Sequence, residues 1–125
     1  MLETIRFTPP CAGEIAWHAE ILPDQGGHCV SFRGEKDSVT FSVFETVPLA
    51  HLIAAPTRYG CPFLFPYANR IAGETMVWEG RTYRVDPPRH GLLRHSAWRT
   101  VVAAESSITC ETEVTPRGGD TFPFH

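Results

Sequence analysis

Apolar residues recur at every second position along much of this chain, and that period constrains its fold more than any other feature. Between Glu14 and Leu22, Ile15, Trp17, Ala19 and Ile21 share one parity, while Glu14, His18 and Glu20 share the other. Successive side chains of a strand point to opposite faces, so this pattern fits a half-buried strand and not a helix. Pro23-Asp24-Gln25-Gly26-Gly27 is turn chemistry, after which Cys29–Arg33 resumes the extended pattern. Beyond Gly34–Asp37, Val39, Phe41 and Val43 alternate with Thr40 and Ser42. Three strands joined by turns of about five residues predict an antiparallel sheet.

Later segments repeat the theme. Thr75–Trp78 and Arg81–Arg84 flank Glu79-Gly80, a two-residue connection in which glycine supplies positive φ. That turn sets a register: Trp78 faces Arg81, Met76 faces Tyr83 and Glu74 faces Val85. Met76, Trp78, Tyr83 and Val85 then share one face, with Thr75, Thr82 and Arg84 on the other. Trp98–Ala103 reads as another strand, and Ser107–Val114 as a further one with Ile108, Cys110 and Val114 inward. Residues 45 to 59 are predicted to be an irregular connection rather than a short helix starting near Pro48. No internal repeat or interdomain linker interrupts the 125 residues, so residues 1–125 are read as one domain.

Composition narrows the function. Hydrophobic residues make up 42% and charged residues 20%, a globular balance, and the net charge of -3 removes a general electrostatic case for nucleic acid or a membrane surface. No apolar run approaches the ~18 residues of a membrane span, and the first six residues lack a signal-type apolar core, so a cytoplasmic location is expected. Cys11, Cys29, Cys61 and Cys110 are scattered without a Cys-x-x-Cys pair, and are expected to be reduced and mostly buried. The six histidines show no metal-ligand spacing, so neither metal nor cofactor is expected.

Chemistry concentrates in Gly60-Cys61-Pro62-Phe63-Leu64-Phe65-Pro66-Tyr67-Ala68-Asn69-Arg70-Ile71 and in Asp86-Pro87-Pro88-Arg89-His90-Gly91. Pro62 and Pro66 exclude the first segment from a regular central strand, so it is expected to cross the sheet face as an ordered loop or edge. It delivers Asn69 and Arg70, and the second segment returns His90. Arginine offers a rigid fork of donors, asparagine both donor and acceptor, and histidine either role, a set suited to a polyhydroxylated ring. The plainer readings are a surface ion pair for Arg70 and a loop cap for His90. Asn69 is expected both to hold the loop and to face a ligand. Phe65, Tyr67 and Trp78 are read as core rather than as a sugar platform.

The ordered series Gly60–Ile71, Gly73, Trp78-Glu79-Gly80-Arg81-Thr82-Tyr83, His90-Gly91 and Trp98 resembles the N-terminal part of the aldose 1-epimerase (galactose mutarotase) family, over roughly residues 10 to 125. The resemblance implies an all-β fold, an antiparallel β-sandwich of the supersandwich kind, present here as its N-terminal portion. It implies an aldohexose as small-molecule partner, with Asn69 and Arg70 at the sugar and His90 as the first of two active-site histidines, helping to polarise it. The family's general acid, a second histidine in a His-Pro-Tyr-like segment, and its base, a glutamate, would both follow residue 125. Thr121-Phe122-Pro123-Phe124-His125 starts a new apolar segment, and the chain reads as an incomplete domain expected to self-associate through unpaired strands. The alternative from another class is a non-catalytic carbohydrate-binding β-sandwich module.

Overall fold

Four strands pair in chain order into one antiparallel sheet: β1 (Glu3–Phe7), β2 (Ala16–Leu22), β3 (His28–Lys36) and β4 (Val39–Ser42). The computed structural model describes residues 3–7, 14–45 and 47–114, with backbone alone for 3–7. Cys11, the Pro116–Asp120 turn and the Thr121–His125 segment lie outside the described residues. The first strand is the element that alternation alone did not reveal.

Burial in β2 departs from the simple two-face reading. Ala19 is buried as expected, but so are His18 and Leu22. The register against β3 shifts between Glu20 and Ile21, which resets the alternation and turns Leu22 inward. His18 lies between Arg6 of β1 and Arg33 of β3, and its Nε2 is 3.8 Å from the Glu35 carboxylate. A strand covered on both sides by its neighbours can bury a polar residue when a partner is in reach.

Gly34 is an instructive exception inside β3. It sits opposite Trp17 on one side and Phe41 on the other. A Cβ there would lie 2.4 Å from the Phe41 ring and 2.9 Å from Ile15. Its absence lets Trp17 stack on Phe32 at 5.0 Å and take Phe41 edge-on at 5.8 Å. Val39, Phe41 and Val43 nevertheless stay 64%, 40% and 52% exposed, so β4 is an edge with an apolar face open among the described residues.

The 45–59 connection contains a short helix, α1 (Leu49–Ala54), instead of a wholly irregular path. Pro48 precedes it with φ -53°, so its fixed ring torsion suits the start of a helix. Only Leu52 of this helix is buried, at 2% exposure, and it anchors the segment. No helix of the described residues is long and apolar enough to cross a membrane.

The two remaining sheets are hairpins, β5 (Thr75–Trp78) with β6 (Arg81–Arg84), and β7 (Arg99–Ala104) with β8 (Ser107–Glu111). The first has the register set by Glu79-Gly80, with Trp78 opposite Arg81 and Met76 opposite Tyr83. Val85 N–H then donates to the Glu74 carbonyl at 2.8 Å, which extends the pairing by one more step. Tyr83 and Val85 are buried, while Val77 on the other face is 69% exposed. In β8 and the residues after it, Ile108, Cys110 and Val114 are half-buried between exposed neighbours, as the alternation predicts. The architecture is all-β and antiparallel.

Candidate functional site

The start of β3 anchors the segment that carries the site. Cys29 and Cys61 form an antiparallel bridge, Cys29 N–H donating to Cys61 O at 3.2 Å and Cys61 N–H to Cys29 O at 2.8 Å. Both thiols are free, and Cys61 is exposed, contrary to the expectation of burial. Next to this bridge His28 is fully buried, with Nε2 2.8 Å from the Tyr59 carbonyl. A carbonyl can only accept, so Nε2 carries the proton. Nδ1 then has no hydrogen-bond partner among the described residues.

Burial holds the His28 pKa below the usual histidine range, against a smaller opposing effect of the Tyr59 carbonyl. A protonated ring would place a charge where no second acceptor waits. The unfolded chain therefore binds this proton more readily, and stability is complete above about pH 6.5 and falls as pH drops below it. His95, lowered by burial and then by the Arg94 charge, acts in the same direction. The urea midpoint should be higher at pH 8 than at pH 5.5, and His28→Gln should flatten that slope. A slope unchanged by the substitution would remove His28 as its source.

From Cys61 the chain runs through Phe63, packed on Trp98 at 5.1 Å between ring centres, to Phe65 and the Asn69–Arg70 pair. It forms isolated bridges and no regular strand, in keeping with Pro62 and Pro66. Phe65 and Trp78, expected in the core, are 55% and 43% exposed, whereas Tyr67 is half-buried. The Tyr67 hydroxyl donates to the Pro87 carbonyl, tying this loop to the one that carries His90. Burial, and then the Asp86 charge, raises the Tyr67 pKa, so the phenol remains a donor.

Three further backbone contacts join the two loops. Leu92 N–H donates to Phe65 O at 2.7 Å, Ile71 N–H to Pro88 O at 2.8 Å, and His90 N–H to Asn69 O at 3.2 Å. These place Phe65 beside Gly91 in a parallel bridge and Arg70 opposite Arg89 in an antiparallel one. Gly91 is the tightest point: at φ +71°, a Cβ would sit 2.0 Å from the Phe65 carbonyl oxygen. Only glycine permits that approach.

The structure thus brings Asn69, Arg70 and His90 together across a single bridge. Asn69 Oδ1 accepts from the Arg70 N–H at 2.9 Å, so its carboxamide oxygen holds the loop. His90 adopts φ +65°, which breaks regular alternation and brings its Nδ1 to 3.1 Å from the Ala68 carbonyl. Nδ1 must donate there, so in the neutral ring Nε2 keeps its lone pair for another group. Asn69 and Arg70 are exposed and His90 is half-buried. Among the described residues no three His, Cys, Asp or Glu side chains converge to hold a metal ion. Sequence reasoning missed the Tyr67 tie, the His28 anchor and Arg89. The last could have been found by pairing Asn69 with His90, which puts the residues beside them opposite each other.

The fold and the two joined loops define an antiparallel β protein whose small polar site lies on loops, not on strands. Residues 18–125 match the family described as aldose 1-epimerase, and the chain belongs to that family. Its structure is also similar to the crystal structure of an Escherichia coli K12 protein provisionally named an aldose 1-epimerase, with TM-score 0.65 and 22% sequence identity. The match covers 93% of this chain and 38% of that one, so the chain spans well under half the length of this relative.

Proposed function

We propose that Asn69, Arg70 and His90 bind an aldohexose, and that the chain is the sugar-holding portion of a galactose mutarotase-like β-sandwich that interconverts α and β anomers. The observation that carries this reading is the pairing of the loops, with His90 N–H on Asn69 O at 3.2 Å and Arg70 exposed beside it. Arg70 supplies a fork to neighbouring hydroxyls, and His90 offers Nε2 toward the sugar while Nδ1 stays on Ala68.

Anomer exchange needs a base to take the C1 hydroxyl proton and an acid to protonate the ring oxygen, opening the ring to the aldehyde. Each such group contributes typically ~10²–10⁴-fold. His90 can polarise but cannot fill both roles, and by the family resemblance neither the acid histidine nor the base glutamate has a matching residue among these 125. The 125-residue chain alone should therefore bind sugar without speeding mutarotation. It should also self-associate through the open β4 face, where burial is worth roughly 25 cal/mol per Å².

Polarimetry with fresh α-glucose or α-galactose, alongside light scattering, tests both expectations. A monomer that accelerates the rotation change would place acid and base within these residues, with His95, Glu74 and Glu79 the groups to examine. Sugar binding without catalysis even in a longer protein containing this chain would favour the non-catalytic carbohydrate-binding module.

A further inference from the structure

The hydrogen bonds around the Arg70–Arg89 bridge fix its type. Ile71 N–H reaches Pro88 O and His90 N–H reaches Asn69 O, while the two arginines exchange no backbone bond with each other. This is the non-hydrogen-bonded antiparallel pair, in which Cα atoms stand about 4.5 Å apart and side chains leave on the same face. Two guanidinium-bearing side chains therefore start side by side, and both residues are exposed. Like charges directly opposite one another are destabilising in such a pair. Neither side chain has an ion-pair or hydrogen-bond partner among the described residues. The chain carries 14 acidic residues against 11 Lys and Arg, yet Asp86 and Glu74, close by in sequence, make no ion pair with them. An uncompensated pair of this kind beside Asn69 and His90 has the chemistry of an anion clamp. Ring hydroxyls alone would use one fork and leave the second charge unanswered.

We propose that the sugar bound at this site carries an anionic substituent, a phosphate or a carboxylate, received jointly by Arg89 and Arg70. The proposal rests on the reading of Asn69, Arg70 and His90 as a sugar site and adds the substrate class. Arg89 takes the anion, while Arg70, with five N–H donors, reaches both the anion and an adjacent hydroxyl. Charge-assisted, two-pronged bonds are stronger than neutral ones, so the anionic group should dominate discrimination between sugars.

Titration calorimetry of the full chain with glucose, glucose 6-phosphate, glucuronate and inorganic phosphate tests this. At low salt the anionic sugars should bind at least about tenfold tighter than glucose, and the gap should shrink as salt screens the exposed pair. Arg89→Gln should bring the gap to about twofold. The two sources separate by pH: phosphate gains charge through its second ionisation near pH ~6, so the glucose 6-phosphate advantage should grow from pH 5.5 to 7.5, while that of glucuronate should stay flat. The tighter of the two anionic sugars identifies the substituent. Equal binding of glucose and both anionic sugars would overturn the proposal and leave the sugar site standing. Inorganic phosphate binding as tightly as the sugar phosphate, or a gap untouched by Arg89→Gln, would also overturn it. No binding of any sugar would instead overturn the sugar-site reading itself.

Discussion

Arg70→Gln should cut sugar affinity by at least tenfold while leaving the protein as stable as before, or slightly more so. Function and stability separate here because the Arg70 side chain has no partner among the described residues and stands opposite the like charge of Arg89. Removing it relieves a cross-strand repulsion worth roughly 0.2–1 kcal/mol, so folding loses nothing. Sugar binding loses the fork. Arg70→Lys sharpens the case by keeping the charge and the repulsion while discarding the two-pronged geometry; its affinity should also fall by about tenfold, or ~1.4 kcal/mol. Thermal melts and calorimetric titrations of the same samples read the two effects. A matched loss of melting temperature and affinity would mean that Arg70 holds the loop, and would sink its assignment to the sugar.

Gly91→Ala should do the reverse, costing the fold first. Its Cβ would fall 2.0 Å from the Phe65 carbonyl oxygen, which is also the acceptor for Leu92 N–H. One strained left-handed residue costs on the order of 1–3 kcal/mol, and separating the two loops adds more. A total of about 3 kcal/mol would lower the melting temperature by roughly 10–20 °C in a domain of this size. Gly80→Ala is the matched control. Gly80 has a similar φ of +75°, but nothing lies within 4 Å of a Cβ there, so only the backbone penalty of about 1 kcal/mol applies. If the two variants melt together, the close approach at Gly91 is not what holds the loops.

Local signals made part of this structure legible. The Glu79-Gly80 turn determined which residues of β5 and β6 face each other because a two-residue loop leaves no slack. The alternation through Ile108, Cys110 and Val114 survived because the irregularity in this hairpin falls on β7, between Thr100 and Val102, and leaves β8 unbroken. Where burial depended on distant chain, the pattern was mute. His18 alternates as an outward residue does and His28 is a polar residue just after a turn, yet neighbouring strands and the Tyr59 segment cover them. Phe65 and Trp78 are aromatic, yet they stay 55% and 43% exposed. The helix after Pro48 could not be told from an irregular connection because that proline suits a helix start and an irregular turn equally. At the candidate site, the residues were readable from their chemistry, but the pairing that sets Arg89 against Arg70 was a matter of register.

The joints between the site loops have an energetic consequence of their own. The β2–β3 ladder runs from Ala16 to Leu22 with a single register shift, so its neighbouring bonds support one another, whereas the contacts at Phe65, Asn69 and Ile71 are separate stitches with no ladder beside them. Amide protons of Ile71, His90 and Leu92 should therefore exchange through small local openings before the sheet unfolds. A ligand spanning the two loops meets this breathing segment first, and part of its binding energy goes into keeping the loops shut. Its signature in the protein is a quieted loop pair, with little change in the stability of the sheet behind it.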